Sequence, residues 1–113
     1  MLSKMIMLKT QIGFRVIDVA DLNCVNIVSR AVAYHLDNGE LVSGLCLRGS
    51  FEKAIADIKD TPSLYFMRPS LLINLSKIKI LDTDHIEFIN GEKLYYPRTA
   101  FESLKAAWEA YIL

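Results

Sequence analysis

Short apolar segments separated by turn residues run along almost the whole chain. In the segment 12–19, Ile12, Phe14 and Val16 alternate with other residues, a period of two that is typical of a β-strand. Asn38-Gly39 and Asn90-Gly91 interrupt later apolar segments, and Asn-Gly favours a tight hairpin turn because both residues tolerate positive φ. Further strands are predicted at 21–28, 31–36, 41–47, 64–67, 70–75, 78–81, 85–89 and 93–96.

Two segments show helical spacing instead. Ser50 is placed to cap a short helix over 50–59, which Thr61-Pro62 ends. Thr99 opens a capping box at the start of a terminal helix over 99–111. The apolar faces consist of Phe51, Ala54, Ile55 and Ile58 in the first helix and of Phe101, Leu104, Ala107, Trp108 and Tyr111 in the second. We expect the terminal helix to pack on a sheet with Trp108 largely buried.

This order of elements predicts a mainly β domain with two short helices, a sandwich-like assembly of antiparallel sheets. The 113 residues fit one domain, and a hydrophobic fraction of 52% can supply its core. We assign 1–11 to an N-terminal extension and 12–113 to the domain. The apolar stretch 1–8 is interrupted by Lys4 and lacks a cleavage-site pattern, so it does not resemble a signal peptide, and a cytoplasmic location is expected.

The chain has no net charge, but its acidic and basic residues are unevenly distributed. Thirteen basic residues match thirteen acidic ones, whereas nucleic-acid-binding proteins are more often basic. The stretch 61–81, however, contains Arg68, Lys77 and Lys79 and no acidic residue. Such a local basic stripe can neutralise phosphates on a neutral protein.

Sequence motifs of catalysis and metal binding are missing. The chain has no phosphate-binding glycine loop and no nucleophile elbow, so we expect neither an enzyme nor a cofactor. Cys24 and Cys46 lie far apart in strand-like segments and are interpreted as reduced core thiols. His35 and His85 have no cysteine or carboxylate at metal-ligand spacing, so no metal site is expected.

The segment 65–78 carries the most specific pattern in the chain. An aromatic residue is followed by a short polar stretch with Ser70, by an aliphatic-asparagine step at Ile73 and Asn74, and by Ile78 four residues on. This pattern resembles the signature of LytTR DNA-binding domains. The resemblance extends over 12–111, since it includes 21–26, 47–58, the Asn90-Gly91 hairpin, Pro97-Arg98 and the helix from Phe101 to Trp108.

The resemblance implies an elongated stack of small antiparallel β-sheets whose loops enter the DNA grooves in place of a recognition helix. Three family contact positions fall on Arg30, Asn74 and Arg98. Arginine can bind guanine, and asparagine adenine, through two hydrogen bonds each. From the residues alone, a solvated loop arginine, a turn-forming asparagine and an incidental charge before a helix remain open alternatives. The expected DNA-contacting residues are Arg30, Arg68, Asn74, Lys77, Lys79 and Arg98, with the two lysines on phosphates.

In function, the resemblance implies sequence-specific binding of double-stranded DNA in bacterial transcription regulation, as in response regulators. A pair of protomers on repeated half-sites and the absence of a small-molecule substrate are expected with it. The alternative is a protein-interaction module of the same fold that pairs with another regulator or a membrane-bound inhibitor. The zero net charge and Pro69, in the segment where contacts are expected, favour this alternative.

Overall fold

A computed structural model describes residues 4–113. Its strands, numbered along the chain, are Met5–Thr10 (β1), Gly13–Asp18 (β2), Leu22–Val28 (β3), Ala31–Leu36 (β4), Leu41–Cys46 (β5), Leu64–Arg68 (β6), Leu71–Asn74 (β7), Ile78–Leu81 (β8), His85–Phe88 (β9) and Lys93–Tyr95 (β10). The α-helices are Phe51–Ala54 (α1) and Phe101–Ile112 (α2), and single 3-10 turns span Val19–Asp21, Leu75–Lys77 and Arg98–Ala100. The mainly β prediction is confirmed.

Three antiparallel sheets form a stack. The central sheet has the strand order β5-β4-β3-β7-β6, the β1–β2 hairpin is a second sheet, and β10-β9-β8 is a third. Successive side chains of a strand point to opposite faces. Val25 and Leu72 therefore enter a core shared with the β1–β2 hairpin and α1, whereas Cys24 and Ile73 enter one shared with β8–β10 and α2. The central sheet is thus covered on both faces, which confirms the predicted stack of small sheets.

The N-terminal segment contributes to the fold from its first described strand onward. β1 pairs with β2 along its whole length, from Met5 opposite Asp18 to Thr10 opposite Gly13. Ile6 and Leu8 are buried in the first core. The described part of the expected extension 1–11 is therefore a strand of the folded unit.

The first helix is shorter than its apolar spacing predicts. Ser50 caps it as expected, since its Oγ accepts a hydrogen bond from the Lys53 amide at 3.2 Å. The α-helix ends at Ala54, and turns follow over 55–60. Ile55 and Ile58 are nevertheless completely buried, so these weak helix formers fill the core without continuing the helix.

The terminal helix begins differently from the prediction. Thr99 lies inside the 3-10 turn, and Ala100 occupies the N-cap position without a side-chain hydrogen bond, so the predicted capping box is wrong. Leu104 is fully buried, whereas Phe101 and Trp108 are only partly buried at the edge of the second core. Trp108 nevertheless packs against the second core with most of its surface buried, as expected. Among the described residues, no helix has the length and apolarity needed to span a membrane.

Candidate nucleic-acid interface

One end of the central sheet carries three arginines, and we call it the arginine end. Its centre is the two-residue turn Ser29-Arg30 between β3 and β4, where Val28 pairs with Ala31. The Arg30 carbonyl accepts a hydrogen bond from the Leu47 amide at 2.7 Å, directly after β5. Arg48, the next residue, therefore lies beside this turn.

Arg68 reaches the same end from the other half of the sheet. It pairs with Leu71 across the two-residue turn Pro69-Ser70. β7 runs antiparallel to β3, with Leu72 opposite Val25, so the start of β7 lies next to the end of β3. With neighbouring strands ~4.8 Å apart, the β3–β4 turn and the β6–β7 turn are separated by two strand spacings, or roughly 10 Å, along the sheet end. The sequence places these arginines far apart, and the strand pairing brings them together.

The side chains at the arginine end are available for an anionic partner. Arg30, Arg48 and Arg68 are exposed, and no salt bridge found among residues 4–113 includes any of them. Arg15, by contrast, forms two hydrogen bonds of 2.5 and 2.6 Å to the Glu40 carboxylate. That contact lowers the pKa of Glu40 below its ordinary value.

A cleft beside Arg68 adds two lysines. Lys53 and Lys59 line this cleft together with Arg68 and the following turn. Lys59 is held 2.9 Å from Glu52, so that pair is neutral. Lys53 and Arg68 therefore give the cleft a positive charge next to the turn that follows Arg68.

Backbone geometry makes the Arg30 turn well defined. Ser29 and Arg30 have φ values of 51° and 67°, both in the left-handed region. Two consecutive positive φ values are the mark of a type I′ turn, whose twist matches that of the two strands it joins. The arginine side chain is therefore projected from a short turn with little freedom in its backbone.

Asn74 has a different role from the expected base contact. Its side chain is fully buried. Its Nδ2 donates to the Leu22 carbonyl at 2.8 Å, and its Oδ1 accepts from the Ser76 amide at 3.1 Å. Both polar atoms of the amide are thus engaged, which corrects the expectation that it reads a base and favours the turn-forming alternative.

The remaining expected contacts are dispersed. Lys77 is 3.0 Å from Asp37, which follows β4 at the end of the sheet opposite Arg30. Lys79 is exposed on β8 with its ammonium 4.0 Å from Glu87. Arg98 is exposed in the 3-10 turn before α2, where its charge helps to lower the pKa of Asp84 after the larger effect of His85. The structure does not place these three side chains at the arginine end.

Arg48 and Lys53 are interface candidates outside the set of residues expected from the sequence. A signal for Arg48 was present, because a hairpin closed at Asn38-Gly39 returns β5 to the start of β4 and hence to Arg30. Lys53 had no such signal, since its place next to Arg68 depends on how α1 packs on the sheet.

Comparison with solved structures identifies the architecture. A LytTr DNA-binding domain from Bacillus cereus superposes with a TM-score of 0.68, over 91% of this chain and 94% of that one, at 14% sequence identity. This chain has the LytTr fold. The resemblance expected from the segment 65–78 is thereby confirmed at the level of the fold. No family model matches the sequence. No curated protein matches it either.

Proposed function

We propose that this chain binds double-stranded DNA sequence-specifically in bacterial transcription regulation, with the turns of the arginine end inserted in the grooves. The observation that carries the proposal is the exposure of Arg30, on one hairpin turn, and of Arg68, directly before the neighbouring one, without salt-bridge partners in the described part of the chain. The LytTr fold supports it, since the solved domain that shares this fold is described as DNA-binding.

The spacing of the two turns suits a duplex. The two turns are roughly 10 Å apart, a separation that fits within the B-DNA major groove, which is about 12 Å wide. An arginine on a short turn can bind the O6 and N7 atoms of guanine through two hydrogen bonds. We assign base contacts to these two residues and phosphate contacts to Arg48 and Lys53, which flank them.

The other expected residues have smaller parts in this proposal. Arg98 and Lys79 are exposed and are retained as outer contacts to phosphate. Lys77 is left out because Asp37 neutralises it at the far end of the sheet, and Asn74 is left out because it is buried. Such a protein works in the cytoplasm without catalysis, as a pair of protomers on repeated half-sites.

One observation favours the rival function, a protein-interaction module of the same fold. The β1–β2 hairpin exposes apolar side chains, with Ile12 98% and Phe14 68% exposed. Adjacent exposed apolar side chains are typical of a protein-binding surface. In this rival the hairpin contacts another regulator, and the arginine end contributes nothing to binding.

The test begins with selection of bound duplexes from a random pool at low salt, followed by titration of the enriched site. R30A and R68A should each weaken binding to that site by ~1–3 kcal/mol and weaken binding to a scrambled duplex much less. K105A is the control, because Lys105 is an exposed basic residue on α2, and it should bind like wild type.

Two outcomes would overturn the proposal. One is the absence of measurable affinity of wild type for any duplex at low salt. The other is equal binding by wild type and the double variant R30A/R68A. If a partner protein then binds wild type but not F14S, the interaction module takes the place of the DNA-binding function.

A further inference from the structure

Three side chains with metal-binding chemistry meet where the β9–β10 connection packs on the central sheet. Cys24 on β3 lies directly opposite His35 on β4, and Glu92 precedes β10. One ligand atom of each (the thiol sulfur, an imidazole nitrogen and a carboxylate oxygen) lies within 4.8 Å of the other two. We call these residues the Cys-His-Glu cluster. Spacing along the sequence did not reveal it, because strand pairing and sheet packing create it.

Neighbouring side chains orient the cluster. The His35 Nε2 atom is 2.8 Å from Asn26 Oδ1, an acceptor, so Nε2 donates the hydrogen bond. The other ring nitrogen, Nδ1, faces the Glu92 Oε2 atom at 3.8 Å. Histidine ligands of metals usually donate their other ring N–H to an oxygen in this way, which fixes the tautomer.

Glu92 is held in the same manner. Its Oε1 atom accepts a hydrogen bond of 3.0 Å from Asn23 Nδ2, a side chain that is almost completely buried. The second oxygen, Oε2, remains directed at His35. An imidazole nitrogen, a carboxylate oxygen and a thiol sulfur thus converge. A cation between them would stabilise this arrangement.

We propose that the Cys-His-Glu cluster is a zinc site that links the central sheet to the three-stranded sheet. Zn²⁺ binds thiolate sulfur, imidazole nitrogen and carboxylate oxygen. Its bonds are about 2.0–2.3 Å long, so the ligand atoms of a tetrahedral site lie roughly 3.3–3.7 Å apart. The separation of 3.8 Å between His35 and Glu92 is already close to this range. The three ligand atoms lie within 4.8 Å of one another, so their separations need to shorten by at most about 1 Å, which side-chain rotation can provide.

The environment sets how the ion binds. Cys24 is buried, so zinc would reach its thiol from the side of the two partly exposed ligands. Zinc binding forms the Zn–S bond while the thiol proton leaves to solvent. The His35 and Glu92 side chains are 22% and 37% exposed, which gives the ion an entry path and a water molecule the fourth position.

Cobalt(II) titration of the metal-free full chain tests the site, because a thiolate-bound cobalt ion absorbs in the near ultraviolet. Wild type should bind one ion per chain with this absorption, and added zinc should displace it. C24S should lose the absorption, and H35Q and E92Q should bind metal at least ~10-fold more weakly. Cys46 is exposed on β5, so its predicted place in the core is wrong. Because it lies outside the cluster, C46S is the matched control and should behave like wild type.

Zinc-dependent thermal stability provides a second measurement. Zinc should raise the melting temperature of wild type and C46S, because a ligand bound only by the folded state stabilises it. At the same zinc concentration it should raise that of E92Q clearly less, and this substitution at a partly exposed position leaves the core intact even if C24S does not fold. Wild type without thiolate absorption, or an absorption kept by C24S or lost by C46S, would overturn the site.

Discussion

At the scale of single residues, buried polar side chains hold separate parts of the chain together. The Asn74 amide connects the start of β3, through the Leu22 carbonyl, with the 3-10 turn that begins after β7. Its Oδ1 atom also accepts from the Ser76 hydroxyl at 2.6 Å. The same asparagine thus ends a strand, starts a turn and satisfies a backbone carbonyl of the neighbouring strand.

We expect N74A to lower the free energy of unfolding by ~1–3 kcal/mol, because the Leu22 carbonyl loses its buried donor. Urea denaturation measures the loss. N38A is the control, since Asn38 makes a similar side-chain contact in an exposed turn and should have a smaller effect. An N74A protein with unchanged stability and reduced DNA affinity would return Asn74 to the interface.

At the scale of elements, an ion pair connects the β1–β2 hairpin to the central sheet. The hydrogen bonds from Arg15 to Glu40 lower the pKa of that carboxyl below its ordinary value of 4.5. Because the folded state holds the carboxylate in its charged form, the pair contributes stability above this pH. The contribution disappears as the pH falls through the lowered pKa.

E40Q should therefore melt below wild type at neutral pH, and the gap should close as the pH is lowered beneath 4.5. Melting temperatures measured by circular dichroism across this range follow the change. R15Q serves as a matched variant and should show the same pH dependence as E40Q. A gap that persists in acid, after Glu40 is protonated, would mean that packing and not charge connects the hairpin to the sheet.

The terminal helix is anchored mainly by one leucine. Leu104 is fully buried, so L104A should lower the free energy of unfolding by ~2–5 kcal/mol. Trp108 is only partly buried, and W108A should have a clearly smaller effect than L104A. Chemical denaturation of the two variants compares them, and a larger loss for W108A would contradict the packing described for this helix.

The strands and hairpins could be predicted because period-two alternation and Asn-Gly turns are local signals. The strand Met5–Thr10 was missed because its first four residues are all apolar, so this stretch shows no alternation with a period of two. The capping box at Thr99 failed because a 3-10 turn precedes the helix and takes up that residue. Local patterns therefore located most strands, but neither the first strand nor the start of the terminal helix.

At the scale of the whole molecule, the charge distribution matters more than the net charge of zero. Arg30 and Arg68 lie at the same end of the sheet only because β7 pairs with β3, a long-range contact that the sequence pattern does not specify. The same pairing carries Lys77 to the opposite end, beside Asp37. The residue types of the proposed interface could thus be predicted from the sequence, whereas their grouping could not.

Salt dependence of binding probes this grouping. K53A should lower the steepness of the affinity loss with salt by ~0.9 in a logarithmic plot, equally for specific and scrambled duplexes, because a phosphate contact releases counterions without reading bases. Fluorescence anisotropy at several salt concentrations measures the slopes. K105A should leave the slope unchanged, and an equal change in both variants would show that the arginine end is not the contact surface.

The left-handed backbone at Arg30 sets stability in opposition to the proposed DNA binding. A side chain in this conformation costs roughly 1 kcal/mol relative to glycine. R30G should therefore fold more stably than wild type and bind DNA more weakly, whereas R30A should lose affinity without gaining stability. In a library randomised at this position, sorting for heat resistance alone should enrich glycine, and sorting for duplex binding should restore arginine at the expense of thermal stability.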